Sequence, residues 1–146
     1  MAIEITDSVI DDADAYFTNR LESSSWTSAN ETTKRSSLVT AGTILNSMDW
    51  AGIPQGAVYP FPRYLPNSNV ATTPIRILQA LYELALHLLQ NPGVLASEES
   101  VDTLVLGPLK MEHIKPVDLI PRIVTRLISD YTLGGSVGGA TWWRAN

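Results

Sequence analysis

Cysteine is missing from all 146 residues, and that one absence removes disulfides, thiol nucleophiles and thiolate metal sites together. Histidine is almost missing: His87 and His113 are the only two, they fall in different predicted elements, and neither has metal-ligand spacing. No uncharged apolar run reaches the length of a bilayer span, because the most apolar segment, Ile75 to Leu89, is interrupted by Arg76 and Glu83. No membrane contact is expected. Basic clusters are absent as well. Ten Lys and Arg stand against 15 Asp and Glu, giving a formal net charge of −5, and only Lys34-Arg35 are adjacent. Tight nucleic-acid binding draws on clustered cations that displace phosphate counterions, so this distribution argues against it. The opening Met1–Asp7 carries acid where a secretory leader carries base, so neither export nor mitochondrial import is indicated.

What is present is enough apolar material, 45% of residues, for one domain with a real core. The expected fold is mainly α: a small bundle of about four helices with a short β-hairpin, a long proline-rich loop and an extended C-terminal tail. The first helix is predicted over Asp11 to Glu22, with Asp11, Asp12 and Asp14 in its first turn and Arg20 in its last, complementing the helix dipole. A second is predicted over Ala29 to Met48. Ser28 and Glu31 have capping-box spacing there, and Leu38, Ala41, Leu45 and Met48 form a narrow seam. Its many Ser and Thr make it intrinsically weak, so tertiary or subunit contacts must hold it.

Between Asp49 and Thr73 periodicity vanishes under Gly52, Pro54, Gly56, Pro60, Pro62 and Pro66. A connection this long is uncommon in a compact domain and often functional. Its aromatics argue for an ordered arm packing on a neighbour, with Trp50, Tyr59, Phe61, Arg63 and Tyr64 as candidate subunit or tail interface residues. Thr73-Pro74 is predicted to cap and open the next helix, and Asn91-Pro92-Gly93 to stop it. Between these signals only Arg76, Gln79, Glu83, His87 and Gln90 are polar. They form one thin stripe, so the helix should be buried on nearly every side. His87 is predicted to pair with Glu83 one turn earlier. Residues 101–114 read as a hairpin, and Asp118 as the cap of a last helix over Leu119 to Tyr131 with Ile120, Ile123, Val124, Leu127, Ile128 and Tyr131 toward the core.

A search for chemistry ends without a convergent set. Asp11-Asp12-Ala-Asp14 lacks the spacing and glycine of a calcium loop. Gly134-Gly135 and Gly138-Gly139 lack the Lys-Ser or Lys-Thr and following helix of a phosphate loop, and no serine sits in a nucleophile elbow. No catalytic, metal or cofactor-binding residue is expected, and no cofactor. The remaining signal is the tail. Residues 134–146 place Trp142, Trp143 and Arg144 at the end of a spacer with four glycines. Aromatics and arginine are the residue types that anchor interfaces, so residues 1–133 are read as the body and 134–146 as a docking segment, with Val137, Trp142, Trp143 and Arg144 as its contacts; the competing reading folds Trp142 and Trp143 back onto their own domain.

The order of several short motifs resembles the tailed-phage head-to-tail connector, or adaptor, proteins. They are Asp12-Ala-Asp-Ala-Tyr-Phe17, a tryptophan opening the second helix, Pro62-Arg63, Leu81-Tyr-Glu-Leu-Ala-Leu-His-Leu-Leu89, Val105-Leu-Gly-Pro-Leu-Lys-Met-Glu112 and Pro121-Arg122. The likeness spans most of residues 8 to 133. That family is also catalogued under a DnaT-like single-stranded-DNA-binding label. The resemblance implies a structural virion protein of the phage neck, assembled in the host cytoplasm. It implies a homo-oligomeric ring, typically of twelve copies, beneath the portal protein, whose C-terminal segment docks on the portal while a tail or nozzle protein binds the far side. Double-stranded DNA would pass through the lumen without specific binding, a role that suits an acidic subunit. Where relatives often read tryptophan-proline-arginine, this chain reads Tyr59-Pro-Phe-Pro-Arg63. The competing class is a single-stranded-DNA-binding module, in which the loop aromatics would stack bases with only Arg63 as flanking charge.

Overall fold

The computed structural model describes residues 5–96, 103–106, 109–112 and 117–133; the tail residues Val137, Trp142, Trp143 and Arg144 lie outside them. The element order is α1 (Asp7–Thr18), α2 (Ser24–Thr27), α3 (Glu31–Asn46), β1 (Ile53–Pro54), β2 (Arg63–Tyr64), β3 (Ala71–Thr72), α4 (Ile75–Gln90), β4 (Thr103–Leu106), β5 (Leu109–Glu112) and α5 (Arg122–Ile128), which runs into a 3-10 turn, Ser129–Tyr131. The protein is mainly helical, as its periodicity predicts. β4 and β5 pair antiparallel with Leu106 opposite Leu109, within the predicted hairpin.

α4 is the centre. It packs on α3 and α5 and touches α2, and its residues from Ala80 to Leu86 are all buried, as the thin polar stripe requires. α3 carries little propensity of its own, and the hydroxyls of Thr40 and Thr43 bond back to the carbonyls of Ser36 and Val39. Leu38, Ala41 and Leu45, all fully buried, hold it to α4 instead.

Several helix boundaries differ from the expected ones. α1 starts at Asp7, not Asp11, because Val9, Ile10, Ala13 and Phe17 form its inward face and Asp7 alone is the acid of its first turn. Arg20 consequently lies beyond its end. The cap of α3 is Asn30, whose side chain accepts from the Thr33 amide at 2.8 Å; Ser28 closes the unpredicted α2, which buries Trp26 against Phe17 with ring centroids 4.8 Å apart. Pro74 itself caps α4. Pro121, not Asp118, caps α5, and Ile123 on that helix is exposed rather than core.

Glu83, a member of the polar stripe, is buried at 3% exposure. It does not pair with His87. Arg20 donates to its two oxygens from Nε at 2.6 Å and Nη2 at 2.8 Å, and the Tyr16 hydroxyl donates to Oε1 at 2.7 Å. Burial and then the Glu83 bond push the Tyr16 hydroxyl up to about 12, and burial pushes Tyr82 up to about 12. Both tyrosines are therefore held neutral by the fold. An unfolded tyrosine ionises near pH 10, so their contribution is complete below pH 10 and is lost as pH rises from about 10 to about 12. Urea midpoints measured across that window should fall, and Tyr82→Phe should flatten the fall.

Candidate interaction surfaces

The proline-rich loop is ordered, but it folds onto its own chain. β1, β2 and β3 form a three-stranded antiparallel sheet with Ile53 opposite Tyr64 and Arg63 opposite Thr72. Gly52 lies at φ +84°, and a Cβ there would collide with the Tyr64 carbonyl. Inside the loop, Arg63 is 7% exposed. Its guanidinium donates to the carbonyls of Trp50, Ala51, Gly52 and Pro60 at 2.8 to 3.1 Å, so it satisfies the loop's backbone where no ladder can. Trp50 and Phe61 stack edge to face at 5.0 Å in the same interior, and the Trp50 indole donates to the Leu45 carbonyl. Trp50, Phe61 and Arg63 thus build the subunit's own interior, which corrects their reading as subunit or tail interface residues on an arm that packs on a neighbour. Tyr59 is half-buried and Tyr64 exposed. Tyr64 shares a sheet face with its register partner Ile53, itself 70% exposed, giving an apolar patch.

A second surface runs along α5. A cleft of about 900 Å³ is bounded by Met48 and Asp49 after α3, by Asp118 and Leu119, and by Arg122 and Arg126 on α5. His87 holds one wall in place. Its Nε2–H donates to the Asp118 carbonyl at 2.7 Å while Nδ1 accepts from the Asn91 amide at 3.3 Å, a tautomer assigned from these partners. The last described residues lie at this cleft: Thr132 bridges Trp50, and the Leu133 amide donates to the Asp49 carbonyl at 2.9 Å. Leu119 and Leu133 stand exposed on its lining, and Ile123 is exposed elsewhere on α5.

The charges divide sharply. Lys34 binds Asp14 at 2.7 Å, and the Trp26 indole donates to the same oxygen. Burial opposes the Asp14 charge, but these two bonds outweigh it and hold its carboxyl below the usual range. Arg35 binds Asp7, and Arg76 binds Asp130 at 2.8 Å. With Arg20 on Glu83 and Arg63 on carbonyls, only Arg122 and Arg126, among the basic side chains described, carry no hydrogen bond or ion pair. Little local pattern marks the cleft, since its walls lie about 70 residues apart; the sole local signal is two arginines one turn apart on one helix.

Among the described residues no group of three or more His, Asp or Glu could hold a metal, and no helix is long and apolar enough to cross a membrane. Comparison with protein families, curated proteins and solved structures finds no match to this chain.

Proposed function

We propose that this protein is a structural adaptor that assembles as a ring between a phage portal and the tail. The observation that carries the reading is the division of its surface: most of the described cations are taken up by carboxylates and carbonyls of the same chain, while Ile53, Tyr64, Leu119, Ile123 and Leu133 are presented to solvent. Such a body is suited to protein contacts and poorly suited to gripping phosphates. The order of short motifs that resembles the connector proteins supplies the specific assignment. In this reading the C-terminal Trp142-Trp143-Arg144 segment binds the portal, aided by Val137, the exposed apolar residues meet neighbouring copies or the tail component, and DNA passes without being held.

Mixing purified portal with this protein and imaging by electron microscopy should add a ring of density to the portal, and no added density would refute the assignment. Deleting residues 134–146 should abolish that association while lowering the melting temperature by no more than a few degrees. Trp142→Ala with Trp143→Ala should reproduce most of the loss, since an anchoring aromatic contributes about 2 kcal/mol or more. Survival of portal binding without the tail would place the contact elsewhere.

The DNA-binding alternative makes the opposite forecast in a cheap assay. Fluorescence anisotropy with a labelled single-stranded oligonucleotide at physiological salt should show binding no tighter than about 1 µM, the non-specific range. Tighter binding with a steep salt slope would promote the DnaT-like reading, with Arg122 and Arg126 as its first suspects.

A further inference from the structure

The cleft at α5 is open, amphipathic and of the size that holds ligand-like groups, about 900 Å³ against a usual range of roughly 300–1,000 Å³. Three features of the chain point to one occupant. The polypeptide is pinned at its rim by the Leu133 amide on Asp49, so whatever follows starts there. Only eight residues, Gly134 to Thr141, separate that anchor from Trp142, and a glycine-rich spacer of that length has a root-mean-square span of about 16 Å. The chemistry is also complementary. Two guanidinium groups without partners among the described residues, Arg122 and Arg126, can lie over indole faces, Leu119 and Met48 offer apolar contact, and Asp49 and Asp118 can receive Arg144.

We propose that in the unassembled subunit this cleft seats the chain's own Trp142-Trp143-Arg144 segment. Tethering sets the effective concentration on the order of millimolar, so even a seat with an intrinsic dissociation constant on the order of 0.1 mM is filled most of the time. A seat that weak contributes little to folding stability and can be emptied by a better partner. The seat itself needs no portal; its use as a switch, in which the portal takes the tail from the cleft, rests on the adaptor reading.

Trp26 and Trp50 are 1% and 5% exposed, so acrylamide quenching of the folded full-length protein reads the two tail tryptophans almost alone. Quenching of the intact chain should be weak. Arg122→Glu with Arg126→Glu, and separately Leu119→Glu, should raise it several-fold, to the level of a free peptide of residues 134–146, with far-UV circular dichroism unchanged and melting lowered by no more than a few degrees. These side chains are exposed and carry no bonds, so the fold should survive, and Leu119→Glu checks the seat without altering the arginines. An intact chain that already quenches like the peptide would overturn the proposal. So would protection insensitive to both variants, or protection that grows with protein concentration, which would mean that the tail sits on a second copy. Portal association of the same variants separates the two claims: protected tails that never bind portal leave the seat standing and remove the adaptor assignment, whereas released tails should bind portal more tightly than wild type.

Discussion

Arg20→Met destabilises the protein by about 3–5 kcal/mol, the usual cost of leaving one buried charge without its partner. The side chain of Glu83 is only 2% exposed, and without Arg20 its carboxylate would keep a single donor, the Tyr16 hydroxyl. Glu83→Leu should cost less, because the Arg20 side chain is 27% exposed and can turn to water. The double variant should recover most of the loss, since a buried ion pair is often no better than a well-packed apolar pair. Urea denaturation of the three variants closes the cycle. If Arg20→Met costs under ~1 kcal/mol, water reaches Glu83 and the pair is a surface feature.

Leu81→Ala and Leu84→Ala should each cost about 2–5 kcal/mol. Both leucines have no exposed surface, and both lie on the helix against which α3 and α5 pack. Small domains hold only about 5–15 kcal/mol in total, so the double variant should be largely unfolded at 37 °C. Thermal melts of the soluble single variants measure the effect. A loss under ~1 kcal/mol would mean that neighbouring side chains collapse into the space.

The contrast between α4 and the proline-rich loop explains what was legible. α4 could be read because a single period of 3.6 and strong stop signals agree, and burial follows from how few of its positions are polar. The loop could not, because each of its strands is two residues long, too short to show alternation. Its aromatics and Arg63 look like binding residues in sequence for the reason that they work as a core here: they combine large apolar area with groups that can satisfy carbonyls. α1 starts four residues before its acid-rich stretch suggests, because that stretch resembles a first turn whereas burial of Ile10, Ala13 and Phe17 decides where the helix runs. α2 leaves no mark in the sequence because a four-residue helix has no periodicity at all.

Sequence alone determined the mainly helical class, the central buried helix, the hairpin's place, the lack of thiol chemistry and the absence of basic clusters, because these depend on composition and on local period. Only tertiary structure decided which partner each polar group takes. Glu83 chose Arg20 over the histidine one turn away, since burial rewards a bidentate pair between elements. His87 went to a carbonyl 31 residues distant, and that bond helps shape the cleft at α5. Such choices depend on distances between segments remote in the chain, which no local pattern encodes.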